Sequence, residues 1–110
     1  MERIIIEAYC FRQRNELLHE LEKKITENGG WIMDHQMFSN KSISLSVVAA
    51  RLKLEKIFTD LKLIELNMNP GRLESILMEQ PEKDEAENII LCLSINFVNN
   101  FSSKAIRIPV

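Results

Sequence analysis

Hydrophobic period changes along the first 67 residues from two to 3.6 and back, and this alternation constrains the chain more than any other feature. Residues 3–10 carry Ile4, Ile6 and Ala8 on one side and Ile5, Glu7 and Tyr9 on the other, which predicts a first strand that is apolar on both faces, as a central strand is. Over residues 15–28 the spacing lengthens. Leu17, Leu18, Leu21 and Ile25 form one stripe, while Glu16, Glu20, Glu22, Lys23, Lys24 and Glu27 form the wet side of a helix. Asn28-Gly29-Gly30 ends that helix, because glycine takes the left-handed conformation that closes a helix C-terminus.

Period two returns over residues 31–38 and 42–49. The short polar turn Ser39-Asn40-Lys41 between them makes the two strands antiparallel neighbours. In the second of the pair Ile43, Leu45, Val47 and Ala49 alternate with Ser42, Ser44, Ser46 and Val48, so one face packs on helices and the other carries small polar groups. Leu54, Ile57, Phe58 and Leu61 then predict a second helix over 51–61, and residues 63–67 a short fourth strand. This order is the split βαβ plan, βαββαβ. It predicts an α+β fold with a ferredoxin-like antiparallel sheet and helices on one face.

Residues 68–110 read as an extension of this 1–67 core within a single domain. Asn69 is an N-cap with Pro70 at the first helical position, and Leu73, Ile76 and Leu77 give a short helix that ends before Pro81. An acidic, solvated linker is expected over 81–87. A fifth strand follows over 89–98, where Ile89, Leu91, Leu93, Ile95 and Phe97 alternate with Ile90, Cys92, Ser94, Asn96 and Val98. Asn99-Asn100 reads as a turn, and residues 105–108 as a last edge strand blunted by Pro109.

Composition narrows the function classes. With 14 basic and 16 acidic residues among 110, and the bases scattered, the electrostatic footprint of a nucleic-acid binder is missing. No apolar run approaches the roughly 20 residues of a membrane span, and Met1-Glu2-Arg3 leads directly into a strand, so a cytoplasmic protein without membrane contact is expected. Cys10 and Cys92 lie far apart in strand sequence and read as structural thiols.

Activities common on the βαββαβ plan need residues that are absent here. The third strand has no aromatic side chain on which to stack RNA bases. Cys10 has no partner cysteine in the first loop, and His19 and His35 have no i, i+4 partner of ligand type, so neither a metal nor a cofactor is expected. The first loop, Phe11-Arg12-Gln13-Arg14-Asn15, has arginines but none of the glycines of a phosphate cradle. An enzyme is therefore not expected, although a small hydrolase of acylphosphatase type using those arginines is one alternative.

The stretches Gln13-Arg14-Asn15-Glu16-Leu17-Leu18 and Gly30-Trp31-Ile32-Met33 resemble two motifs of the ACT and ACT-like regulatory domains. In that family the first helix opens on D-R-P-G-L-L and the second strand on a glycine followed by apolar residues. Arg14, Leu17, Leu18 and Gly30 match, whereas Gln13, Asn15 and Glu16 stand where the family has the acid, the proline and the glycine. The resemblance covers residues 3 to 67. It implies a stand-alone regulatory, ligand-sensing protein that pairs side by side and binds a small anionic metabolite, such as an amino acid, at the first loop or a subunit interface. Arg12 and Arg14 would hold the carboxylate and Asn15 would hydrogen-bond beside it. A homodimer is also expected from Ile5 and Val48, which fall on the sheet side away from the helices. An interaction module using its sheet edge or face, with the arginines as solvated loop cations, is the alternative.

Overall fold

The structure, a computed structural model, describes residues 2–39, 41–79 and 87–98. Nine elements follow one another among the described residues. Strand β1 (Arg3–Cys10) leads into helix α1 (Arg14–Glu27), and the hairpin of β2 (Trp31–Ser39) and β3 (Ser42–Ala50) follows. A 3₁₀ turn (Arg51–Lys53) then opens helix α2 (Leu54–Leu63). The two-residue strand β4 (Asn67–Met68), helix α3 (Pro70–Met78) and strand β5 (Asn88–Phe97) come after it. The expected turn at 99–100 and strand at 105–108 lie outside the described residues, as does most of the expected linker.

The strands form one mixed, five-stranded sheet in the order β2-β3-β5-β1-β4. This corrects two expectations. The sheet is not wholly antiparallel, since β5 runs parallel to β1 from Arg3↔Ile90 to Cys10↔Phe97. Nor does β5 merely extend the 1–67 core, because its other side pairs antiparallel with β3 from Ser42↔Asn96 to Ala50↔Asn88, which puts it at the centre of the sheet. Its composition accounts for the position: Ile89, Leu91, Leu93 and Ile95 are completely buried, and Ile90 on the opposite face is 7% exposed. A strand apolar at so many positions leaves least apolar surface in water when it is flanked on both sides.

One continuous core forms on one face of the sheet, where Ile6, Val47 and Leu93 meet Leu17, Leu21 and Ile25 of α1, Ile57 and Leu61 of α2, and Leu73 and Ile76 of α3. The other face of β1 is wet, contrary to its two-sided apolar pattern, with Ile5 63% and Tyr9 47% exposed. Val48, expected to be wet, is buried, and its cross-strand neighbours are Trp31 and Ile90.

Local signals explain the element ends. Gly29 has φ +76° and closes α1, while Gly30 packs so closely on β3 that a Cβ there would lie 2.6 Å from the Val48 carbonyl oxygen. The Asn69 side chain accepts from the Arg72 backbone N–H at 3.1 Å and caps α3, with Pro70 at its start. Strand four is much shorter than the expected 63–67. Ile64 continues the stripe of Ile57 and Leu61 and is buried, so the chain stays helical through Leu63 and turns at Glu65, whose φ is +69°. No helix among the described residues is long and apolar enough to cross a membrane.

Candidate functional site

The first loop separates the residues that the sequence groups together. The Arg12 guanidinium turns toward the α2–β4 connection, where it donates to the Ile64 carbonyl at 3.2 Å and stands 3.7 Å from the Glu65 carboxylate. It also pairs with Glu16 at 2.9 Å and with Glu20 on α1. Three carboxylates therefore surround one guanidinium. The hydrogen bonds that Arg12 donates to Glu20 and then to Glu16 raise its pKa further, and Arg12 in turn holds the Glu20 carboxyl below its usual range. Arg14 points elsewhere, with Nη1 3.8 Å from the Met37 sulfur on β2. Asn15 is exposed on the first turn of α1. The structure thus does not bring Arg12 and Arg14 onto a common target: Arg12 ties the loop to the fold, and Arg14 stands at the β2 edge.

That edge is the most exposed element among the described residues. Every β2 residue except Ile32 is exposed, including Trp31 at 51%, Met33 and Met37 at 49% and Phe38 at 63%. One side of β2 pairs with β3 and the other side has no strand beside it among the described residues. Register shifts at Met33 and Phe38 leave residues 34–37 as its regular stretch. At the sheet's opposite edge, among the described residues, β4 covers only Ala8 and Tyr9 of β1, and Arg72 of α3 donates to the Ile5 carbonyl at 3.2 Å.

Cross-strand partners share a face, so the registers sort the open face into rows. Trp31, Val48, Ile90 and Arg3 form an apolar row closed by a cation. Next comes Asp34, Ser46, Cys92 and Ile5, then Gln36, Ser44, Ser94 and Glu7. The last row is polar throughout: Ser39, Ser42, Asn96, Tyr9 and Asn67. A shallow cavity of about 440 Å³ opens at its end among Glu7, Tyr9, Asn67, Asn69 and Asn96. Sequence reasoning missed this group, since only the position of β5 places Asn96 beside Tyr9.

Both cysteines are free. Cys10 is fully buried and burial pushes its thiol up, which makes it a poor nucleophile. Among the described residues no three His, Cys, Asp or Glu side chains are grouped to hold a metal ion. Comparison with family models, with curated proteins and with solved structures found no match to this chain.

Proposed function

We propose that this protein is an interaction module whose β2 edge pairs with the same edge of a second copy, giving a homodimer with a continuous sheet. The observation that carries this reading is the exposure of Trp31, Met33, Met37 and Phe38 on a strand whose outer side has no strand beside it among the described residues. An open strand is a template for another strand, and apolar side chains along it add buried area when the template is filled. Residues 34–37 pair around a two-fold axis, and the flanking Met33 and Phe38 pack across it.

The strand directions support a ferredoxin-like origin for the core. Taking β5 out of the order leaves β2-β3-β1-β4 with every neighbour antiparallel, so we read the sheet as a βαββαβ core with a fifth strand inserted at its centre. The ACT-like reading agrees with side-by-side pairing. A second reading, a small carboxylate bound at the subunit interface, is favoured by one observation: Arg14 sits against Met37, on the edge that pairing would bring to the partner.

Sedimentation equilibrium tests the assembly. The wild-type chain is expected to run at twice its 12.8 kDa, and Met37→Lys and Phe38→Lys as monomers that remain folded. A wild-type chain that stays at the monomer mass at tens of micromolar overturns the reading. A shift in melting temperature with amino acids or small carboxylates, lost in Arg14→Ala, would add the ligand to it.

A further inference from the structure

The polar row across the end of the open sheet face brings together side chains of one chemical kind from all five strands. Tyr9 is flanked by Asn67 on β4 and Asn96 on β5, and Asn96 by Ser42 on β3, whose partner on β2 is Ser39. Amides and hydroxyls both donate and accept hydrogen bonds, which is the pattern that a ligand hydroxyl also presents. No Lys or Arg stands in this row or the one beside it, and Arg72 at the same edge is held by the Ile5 carbonyl, so the row itself offers a phosphate or carboxylate no counter-charge. Glu7, two residues before Tyr9 on the same face, adds an acceptor for ligand O–H groups.

Several of these groups are held in place before any ligand arrives. The Asn67 Nδ2 donates to the carbonyls of Tyr9 and Glu65 at 3.3 and 3.4 Å, which fixes the amide and leaves its oxygen as an acceptor. The Asn69 oxygen is used to cap α3, which leaves its Nδ2 as a donor. Both residues line the cavity, so one amide brings an acceptor to it and the other a donor. The Tyr9 ring is set by Phe11, edge to face at 5.7 Å and 89°. An exposed aromatic ring supplies apolar area for the C–H side of a sugar, and its hydroxyl a polar contact at the rim. Groups fixed in this way lose little freedom on binding.

We propose that this row is a binding site for a neutral saccharide, seated over Tyr9 and hydrogen-bonded by Asn67, Asn69, Asn96 and Glu7. A peptide fits the chemistry less well. Its backbone groups are matched by an open strand edge, whereas this row offers a sheet face. The proposal does not depend on pairing through β2.

The test is an NMR titration of the ¹⁵N-labelled full chain with maltohexaose, chitohexaose and mannohexaose, each to about 10 mM, a range that reaches dissociation constants in the millimolar region. At least one is expected to give saturable shifts at the side-chain amides of Asn67, Asn69 and Asn96 and at the Tyr9 backbone. Tyr9→Ala and Asn96→Ala should each weaken it by about tenfold or more, whereas Phe38→Lys should leave it unchanged. Asn96 is exposed, so its variant keeps the test valid if Tyr9→Ala does not fold. Absence of saturable shifts with all three sugars, shifts that survive in Asn96→Ala, or movement of the same signals by tetra-alanine alone would overturn the proposal.

Discussion

Asn28, at the end of α1, donates from its side-chain Nδ2 to the Asp60 carboxylate on α2 at 2.9 Å, and both residues are buried, at 4% and 6% exposure. The same amide nitrogen reaches the Lys24 carbonyl at 2.8 Å, and Lys56 pairs with Asp60 at 3.0 Å. This small network joins the two long helices across the core. Asn28→Ala leaves a buried carboxylate short of a partner and should cost about 1–3 kcal/mol in urea unfolding. Hydrogen bonding from Asn28 and then Lys56 holds the Asp60 carboxyl below its ordinary value. Its contribution is therefore complete above a pH of about 4 and is lost as pH falls through the lower folded-state value. The gap between wild type and Asn28→Ala should narrow in that acid window, and a gap independent of pH would count against the network.

Gly30→Ala should destabilise more than Gly29→Ala. At Gly30 the added carbon would meet the Val48 carbonyl oxygen at 2.6 Å and Ile25 Cγ2 at 3.2 Å, so the start of β2 must move away from β3. Gly29 has open space around it and only the left-handed backbone to oppose a side chain. About 1–3 kcal/mol is expected at Gly30 and about 1 kcal/mol at Gly29. Equal losses in denaturant titrations would contradict the close approach.

Arg12→Ala should act on stability rather than on ligand binding. The substitution removes the cation from among Glu16, Glu20 and Glu65 and frees the Ile64 carbonyl, so the melting temperature should fall by a few degrees. The loss should shrink in high salt, because these groups lie near water. Arg14→Ala should leave the melting temperature unchanged.

Thiol labelling distinguishes the two cysteines. Cys92 lies in the middle of the open face with its sulfur 3.9 Å from an Arg3 nitrogen, whereas Cys10 is completely buried under the first loop. One thiol per native chain should react promptly with a disulfide reagent and both after unfolding. Cys92→Ser should abolish the native reaction, and a prompt reaction that survives in this variant would show Cys10 to be accessible.

Much of the local structure was legible in the sequence because its causes are local. Leu17, Leu21 and Ile25 marked the buried side of α1, and Asn69 with Pro70 marked the start of α3. The place of β5 was not legible. Alternation of Ile89, Leu91, Leu93 and Ile95 tells which face of the strand is buried but not which strands lie beside it, since pairing is settled by contacts distant in sequence. The same limit applies at the loop. Glu16, one helical turn from Arg12, was a visible partner, but Glu65 and the Ile64 carbonyl come near only because α2 runs on past Leu61. Asn67 and Asn96 reach Tyr9 by strand register alone.

Pairing through the β2 edge is tested most directly by hydrogen exchange on the full chain at about 0.5 mM and about 5 µM, since protection gained from a partner must follow concentration. Backbone amides within residues 34–37 that are not bonded to β3 should gain about tenfold or more protection in the concentrated sample. Those along the Arg3-to-Glu7 side of β1 that faces away from β5 should not change, and Phe38→Lys should erase the gain. Exchange in β2 that is the same at both concentrations would contradict an assembly built on this strand.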